Sequence, residues 1–563
     1  MNNGNIIAYF SMEIGIESDM PTYSGGLGVL AGDTIQSAAN LQIPIVAITL
    51  LYRKGYFFQE LDEAGNQKEI PVEWPVDDYL EKCSSKVTVN LEGREVQIGA
   101  WKYEMKGPGA SIVPIYFLDA NLSENSEWDR TLTDSLYGGD LHYRFCQEVI
   151  LGIGGVRMLR TLGYQEIHRF HMNEGHAALL VFELIEEHLL KTGNDKLSVE
   201  DKQDIHDQCV FTTHTPVPAG HDRFSLELVT KVLGNHRALA FQQDYLHEDM
   251  LNMTYLALNF SNYINGVAKK HQEVSAHMFA KYKIDAITNG VSVCRWTAEP
   301  FRSLFDEFIP GWQTDNFSLR YALNIPRKAI WEAHMTAKRH FIHQVNRLTN
   351  TGLDADVFTI GFGRRAASYK RADLIFTDLD RLNLISGKTG KIQLVFAGKA
   401  HPQDEEGKRI IRHIFELSKK LKSNIKLAYL SNYDIEIAQM MVAGVDLWLN
   451  TPIPPMEASG TSGMKAAING VPSFSILDGW WIEGCIEGRT GWAIGDPGRH
   501  TSHAAAAQDD ADSLYHKMEQ IILPMFYHDS YQYIDVMRSA IALNGSFFNT
   551  QRMMQQYVMK AYY

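Results

Sequence analysis

Short runs of β-branched and aromatic residues recur along this chain, each followed by a longer amphipathic stretch, and that alternation confines it to parallel strands joined by crossover helices. The expected class is α/β. Strands are predicted at Ile43 to Thr49, Glu166 to Met172, Gln208 to Thr213, Val357 to Gly361, Ile392 to Ala397, Ile425 to Tyr429, Asp446 to Asn450 and Ser473 to Ile476. Helix-length segments separate many of them.

The units from Asp356 to Asp478 read as one doubly wound sheet and those before about Asn262 as another, which predicts two lobes and a cleft. The expected bounds are 1–262, 263–533 and a helical C-terminal segment 534–563 without a site signal. Within the first lobe, KVTVN and REVQIGAWKYEM alternate around a turn at Glu92 and Gly93, predicting a small β insertion at 81–118. With 563 residues, 45% hydrophobic and 21% charged, each lobe can bury a core, and fibrous or disordered classes are excluded.

The 53 Lys and Arg against 67 Asp and Glu give a net charge of −14, which argues against nucleic acid or an anionic membrane as partner. Five scattered cysteines, Cys83, Cys146, Cys209, Cys294 and Cys485, form no CxxC pair, so a reducing cytoplasm is expected. No Lys or Arg precedes Arg53, and the apolar run Ile43 to Leu51 is too short to span a bilayer, so neither export nor anchoring is expected.

Three loops fall where a strand or extended segment gives way to a helix, where α/β proteins place ligands. In SGGLGVLAGD (Ser24 to Asp33), Gly25, Gly26 and Gly28 would let backbone approach a ligand, with a helix N-terminus aimed at an anion. A tight glycine turn explains that string equally well. GRRAASYKR (Gly363 to Arg371) concentrates Arg364, Arg365, Lys370 and Arg371 at a strand end, suiting a phosphate or, more plainly, a solvated basic helix start. In MEASGTSGMKAAING (Met456 to Gly470), Ser459, Gly460, Thr461, Ser462 and Gly463 form a small-residue turn able to cradle a phosphate, and Lys465 is expected in the first helical turn among alanines. Such a lysine can serve as an amine nucleophile toward an aldehyde cofactor, or simply snorkel from a capped helix.

Other motifs fail. LGIGGVRML has Arg157 at the third glycine position of a dinucleotide fingerprint and follows a helical FCQEVI. The run HRFHMNEGH matches no metal-ligand spacing, so no metal is predicted. No nucleophile elbow or P-loop occurs, and His214 lies on a strand-end loop with no role assignable from spacing.

Taken together, SGGLGVLAGD, INGVA (Ile264 to Ala268) with TNGV at Thr288, GRRAASYKR, and EASGTSGMKAAING followed by LDGWWIEG resemble the α-glucan phosphorylases, in matching order from about Ala8 to beyond Gly484. The resemblance implies a glycosyltransferase-B architecture of two Rossmann-like lobes. It also implies reversible phosphorolysis of α-1,4-glucan to α-glucose 1-phosphate with retention, the phosphate of pyridoxal phosphate relaying a proton. By motif position Lys465 would carry the cofactor covalently as an aldimine; Thr461, Ser462, Gly26, Arg364 and Lys370 would surround the cofactor phosphate. Arg365 and Lys370 would bind substrate phosphate. Gly25, Gly26, Leu27, His214, Asn265, Tyr369, Glu457, Ala458, Ser459 and Gly460 would hold substrate, with His214 among the catalytic residues.

Arg364 and Ser462 replace a lysine and a glycine of the family pattern, and Ala367 and Ser368 replace a histidine and an acidic residue, as in the short prokaryotic branch. HTPVPAGHDRF also departs from the long enzymes, so acceptor-side loops are not carried over. The start at YFSMEIG leads us to expect no phosphorylation or nucleotide-effector control. The expected partners are glucan and phosphate, with no nucleic acid or membrane and with a homo-oligomer allowed. A nucleotide-sugar-dependent glucan synthase and a silent glycan-binding protein are the rival readings; TYSGGLG lacks the lysine that synthases place ahead of their glycines.

Overall fold

The computed structural model describes residues 5–217, 220–495 and 503–563. By its contacts the chain divides into two compact units, one of Met1–Phe57, Pro71–Ile287 and Met553–Tyr563, the other of Phe58–Ile70 and Thr288–Arg552. By contact, Phe58–Ile70 groups with the second unit, the first unit continues to Ile287, and Met553–Tyr563 groups with the first. The strands just after residue 262 complete the first sheet, and the last turns of the C-terminal helical segment return to it.

Strands are numbered in chain order. The first unit is built on β1 (Ile7–Ser11) and β2 (Ile45–Leu50), whereas β3 (Phe58–Leu61) and β4 (Gln67–Ile70) belong to the second. Then follow β5 (Glu81–Leu91), β6 (Arg94–Lys106), β7 (Ile112–Asp119), β8 (Arg169–Asn173) and β9 (Cys209–Thr212). A small antiparallel sheet comprises β10 (Arg223–Ser225), β11 (Leu246–His247) and β12 (Met250–Asn252). With β13 (Tyr263–Gly266) and β14 (Asp285–Ala286), the main sheet runs β14-β13-β9-β8-β1-β2-β7-β6-β5.

From β14 to β7 all pairs are parallel, and β6 and β5 extend the β7 edge antiparallel. The expected insertion is therefore a continuation of the main sheet, turning at Glu92 and Gly93, both at positive φ. Ala8 and Phe10 join one buried cluster and Ile7 and Tyr9 another, so IAYFS is apolar throughout because both sheet faces are covered. The strand order turns outward on either side of the β1–β8 pair, which makes the C-terminal ends of β1 and β8 a topological switch point.

The LGIGG run lies in continuous helical backbone, Leu141–Val149, Ile150–Gly154 and Gly155–Thr161. A Cβ on Gly152 would stand 2.5 Å from the Leu180 amide nitrogen, and one on Gly155 would stand 2.6 Å from the Phe10 ring. These glycines permit close packing. His171, from the histidine-rich run, is spent in the core, its ring nitrogens bonded to the Tyr562 and Thr212 hydroxyls at 2.8 and 2.9 Å.

The second unit carries β15 (Phe358–Gly363), β16 (Ile392–Ala397), β17 (Ile425–Leu430), β18 (Leu447–Asn450), β19 (Ser473–Ile476) and β20 (Gly491–Ile494), all parallel in the order β17-β16-β15-β18-β19-β20. The last of these strands was not among those predicted. Read by chain position this is the doubly wound 3-2-1-4-5-6 order, with its switch point between β15 and β18. Below β18, the fully buried Asp446 carboxylate accepts from Lys338 Nζ at 2.6 Å and from His334 Nε2 at 2.8 Å, fastening helix Arg327–Thr349 to the sheet. No helix among the described residues is long and apolar enough to cross a membrane.

Candidate active site

Each sequence-predicted loop lies at the C-terminal edge of a sheet, beside its switch point. In the second unit, Arg364 directly follows β15 and the segment from Thr451 follows β18. Arg364 Nη2 donates to Glu457 Oε2 at 2.7 Å, and Lys370 Nζ donates to the same oxygen. Burial alone would raise the Glu457 pKa, but these two cations pull it down to about 2, so the carboxylate stays ionised. Its backbone is fixed as well, because Glu457 N–H donates to Asp478 Oδ2 at 2.9 Å. Burial pushes the Asp478 carboxyl up to about 7, against the hydrogen bonds from the Glu457 and Gly479 amides that favour the anion.

Lys370 is buried and stands 4.5 Å over the Tyr369 ring, while Arg365 is exposed. Burial would raise the Tyr369 phenol, yet the Lys370 ammonium beside it leaves its pKa lowered. Arg371 is committed elsewhere, donating to the Thr451 and Pro452 carbonyls and to Asp510.

Gly460 adopts the left-handed conformation, φ 87°, that ends the approach to helix Thr461–Ile468, and no side chain caps that helix N-terminus. The ring of Trp480 fits against this turn, 3.4 Å from a Cβ on Gly460 and 2.8 Å from one on Gly463. Small residues are thus required by packing here. Thr461 begins the helix and stays half-buried, the Ser462 hydroxyl accepts from Trp448 Nε1 at 3.1 Å, and Ala458 is half-buried in the approach. Lys465 sits in the second turn, not the first; it is 8% exposed, with Nζ 3.8 Å from the Trp296 ring centroid.

At this edge two buried donors, Arg364 Nη1 and Ser459 Oγ, and one acceptor, Asn450 Oδ1 at the end of β18, have no hydrogen-bond partner among the described residues. Buried donors are rarely left unpaired, so these two, beside an uncapped helix N-terminus, fit an anionic group. Asn289 Oδ1, also in the second unit, is buried and equally unpartnered. Nothing local to TNGV distinguishes Asn289 from an ordinary turn asparagine, so only the fold brings it forward.

In the first unit the glycine loop enters helix Gly26–Asn40. Gly28 is fixed by packing, since its Cβ would stand 2.7 Å from both Glu13 Oε2 and Tyr23 Cβ, whereas a Cβ on Gly25 or Gly26 would meet nothing within 4 Å. Gly26 is exposed, and Gly25 and Leu27 are half-buried. The amides expected to bind an anion are partly spent: Ser24 and Gly25 N–H donate to Glu13 Oε2 at 2.6 and 3.3 Å. Burial raises the Glu13 pKa, while these amides and the Tyr137 hydroxyl at 2.9 Å favour its ionised form. Glu13 was missed because nothing in YFSMEIG distinguishes it from a surface carboxylate.

His214 is gripped by the end of β8: its N–H donates to Glu174 Oε2 at 2.7 Å and its Nε2 lies 2.8 Å from Asn173 Oδ1. Burial, helped by His271, His171 and His176, lowers its pKa to about 3, so it works as a neutral imidazole. Of HTPVPAGHDRF, residues 218 and 219 lie outside the described residues. Asn265 corrects the sequence expectation. It is fully buried; its Oδ1 accepts from Thr212 Oγ1 at 2.9 Å, and its Nδ2 donates to the Tyr557 hydroxyl and the Gly266 carbonyl at 3.1 Å each. That amide holds β13 to β9 and to the C-terminal helix, with both of its N–H donors spent inside the core.

The two switch-point edges, one cationic and one carrying a neutral histidine, define an α/β protein equipped to hold an anion and a polar organic ligand. A family model described as carbohydrate phosphorylase matches residues 241–491. The maltodextrin phosphorylase of Thermococcus litoralis is 37% identical, over 99% of this chain and 70% of its own. The glycogen phosphorylases of Aquifex aeolicus and Mycobacterium tuberculosis are 34% and 33% identical over 99% of this chain, covering 86% and 70% of theirs. The chain belongs to the carbohydrate phosphorylase family, and its pattern is that of the short prokaryotic-type branch.

Proposed function

We propose that the protein is an α-1,4-glucan phosphorylase of glycosyltransferase-B architecture, using orthophosphate to release glucosyl units as α-glucose 1-phosphate with retention. The observation that carries the reading is 37% identity over 99% of the chain to a maltodextrin phosphorylase. The cationic loop at the β15–β18 switch point supports it, since phosphorolysis needs a place where a multiply charged anion is stable.

The second unit has the donor set for pyridoxal phosphate: Lys465 for the aldehyde, and Arg364, Ser459, Thr461 and Ser462 around its phosphate, two of these ending in the unpartnered atoms Arg364 Nη1 and Ser459 Oγ. When bound, the cofactor would supply an ionisable phosphate that can exchange a proton. Arg365 and Lys370 would bind orthophosphate as cations, and Glu457, ionised and fixed by Asp478, holds Lys370 in place for it. Orthophosphate gives a proton to the glycosidic oxygen as its bond to the anomeric carbon breaks and the shortened glucan leaves, and an oxygen of the same phosphate then bonds to that carbon on the same face. Neutral His214 can hold a sugar hydroxyl without adding a charge that would oppose the positive character developing at that carbon. A glycosidase carboxylate pair is not needed for this chemistry.

The test is phosphate-dependent formation of glucose 1-phosphate from maltodextrin. The purified protein should produce it, and Lys465→Ala should abolish it while the circular-dichroism spectrum is retained. Full activity in that variant would sink the cofactor assignment.

A further inference from the structure

Residues Phe58–Ile70 belong by contact to the second unit, although the chain on both sides of them belongs to the first. They form an antiparallel hairpin, β3 and β4, with Gln59 opposite Glu69 and Leu61 opposite Gln67. Gln59 is fully buried, which for a glutamine demands that its amide be paired. Its Nε2 donates to the Gly398 carbonyl at 3.0 Å and to Gln67 Oε1 at 2.8 Å, and its Oε1 accepts from Asn432 N–H at 2.9 Å. Its own N–H donates to Asn432 Oδ1 at 3.2 Å, which uses the donors and acceptors that face the protein. Gln67 grips the same loop two residues on, exchanging hydrogen bonds with the Ala400 carbonyl and amide at 2.9 Å each.

The loop held in this way, Gly398 to Ala400, follows β16 and is itself laced to the cationic loop after β15. Arg364 N–H donates to the Ala397 carbonyl at 3.0 Å, and Ala366 N–H donates to the Lys399 carbonyl at 2.9 Å. The contact is so close that a Cβ on Gly398 would stand 1.9 Å from the Arg364 carbonyl oxygen. Leu61 of the hairpin completes a cluster with Ala366, Ala400 and Ile411 beneath the two loops. At the hairpin turn, Gly65 lies against the Phe415 ring, where a Cβ would be 2.5 Å away.

We propose that the hairpin Phe58–Ile70 is a positioning element for the phosphate-binding cations, with Gln59 and Gln67 setting the place of Arg364 and Arg365 through Gly398 to Ala400. This rests on the assignment of the Arg364 loop to phosphate under the proposed function. Neither glutamine touches substrate on this account. Their action is indirect: two amides fix one loop, and that loop fixes the backbone from which the cations extend. A loop free to shift would weaken phosphate binding while leaving the glucan-binding residues of the first unit undisturbed.

The experiment compares the wild type with Gln59→Glu, which turns a carboxylate oxygen toward the Gly398 carbonyl and Gln67 Oε1, and with Gln67→Met, a milder change if the first variant fails to fold. KM for inorganic phosphate, KM for maltodextrin, and amide hydrogen exchange of peptides spanning 364–371 and 398–404 are measured. The expected result is a phosphate KM raised about tenfold, a maltodextrin KM changed by less than about twofold, and faster exchange in both peptides. Unchanged exchange with unchanged phosphate KM, or equal rises in both KM values, would overturn the proposal. If the wild type shows no phosphorolysis, the proposed function fails, and the exchange data still decide whether the hairpin holds the loop.

Discussion

Acid should unfold the first unit early, and the size of the effect follows from its buried histidines. Burial lowers the pKa of His171 and His214 to about 3 and of His176, His221, His236 and His271 to about 4. A histidine that must stay neutral in the fold stabilises it fully above the unfolded value of 6.5, and that contribution drains away as pH falls toward the folded value, because the unfolded chain takes the proton first. Glu13, Glu148 and Glu183 act in the opposite sense, since burial raises them and the folded unit can hold up to three protons that an unfolded carboxylate lacks near pH 5. Between about pH 6.5 and 5.5 the six unfolded histidines are on average about three-quarters protonated, so they take up roughly four protons. Subtracting at most three carboxylate protons leaves a net uptake of at least about 1.4 on unfolding, or at least roughly 2 kcal/mol per pH unit. Total stabilities are only about 5–15 kcal/mol, so one pH unit removes a sizeable part of the margin. The assay is native-state amide exchange of peptides covering β1, β8 and β9 between about pH 6.5 and 5.5, corrected for intrinsic exchange. A slope below about 1.4 kcal/mol per unit, a single proton, would refute the reasoning.

Two further substitutions separate ligand roles from packing roles. Gly26→Ala should leave the melting temperature unchanged, because its Cβ meets nothing within 4 Å, yet raise KM for phosphate or maltodextrin in steady-state kinetics; Gly28→Ala should lower the melting temperature, because its Cβ would collide with Glu13 and Tyr23. Asn265→Ala should cost about 1–3 kcal/mol in urea denaturation, because the Thr212 and Tyr557 hydroxyls each lose one buried hydrogen-bond partner, and should not change KM for maltodextrin.

Strands such as β15 and β16 were legible because burial on both faces demands unbroken apolar runs such as VFTIGFG and IQLVFA, and parallel pairing needs the helices between them, whereas β1, β13, β14 and β20 were not read as strands. The three candidate loops were legible because the ends of those strands are where small and cationic residues interrupt the pattern. Local pattern carries no information on where a segment docks. Gln59 looks like an ordinary polar residue in a short amphipathic strand, and only the fold shows it buried against Gly398 and Asn432. Asn265 failed for a related reason. INGVA stands out by its motif, but whether the asparagine faces a ligand or the core depends on Tyr557, almost three hundred residues further along. Glu13 was illegible because its role, holding the Ser24 and Gly25 amides, is set by the approach of one loop to the end of β1.

The central claim, a phosphorylase whose cofactor is bound at Lys465, is tested most directly by borohydride reduction of the purified protein supplied with pyridoxal phosphate, followed by peptide mass mapping. The account predicts a phosphopyridoxyl adduct on the peptide carrying Lys465 and its loss in Lys465→Ala. Folded protein that forms no adduct there, or carries it on another lysine, would contradict it.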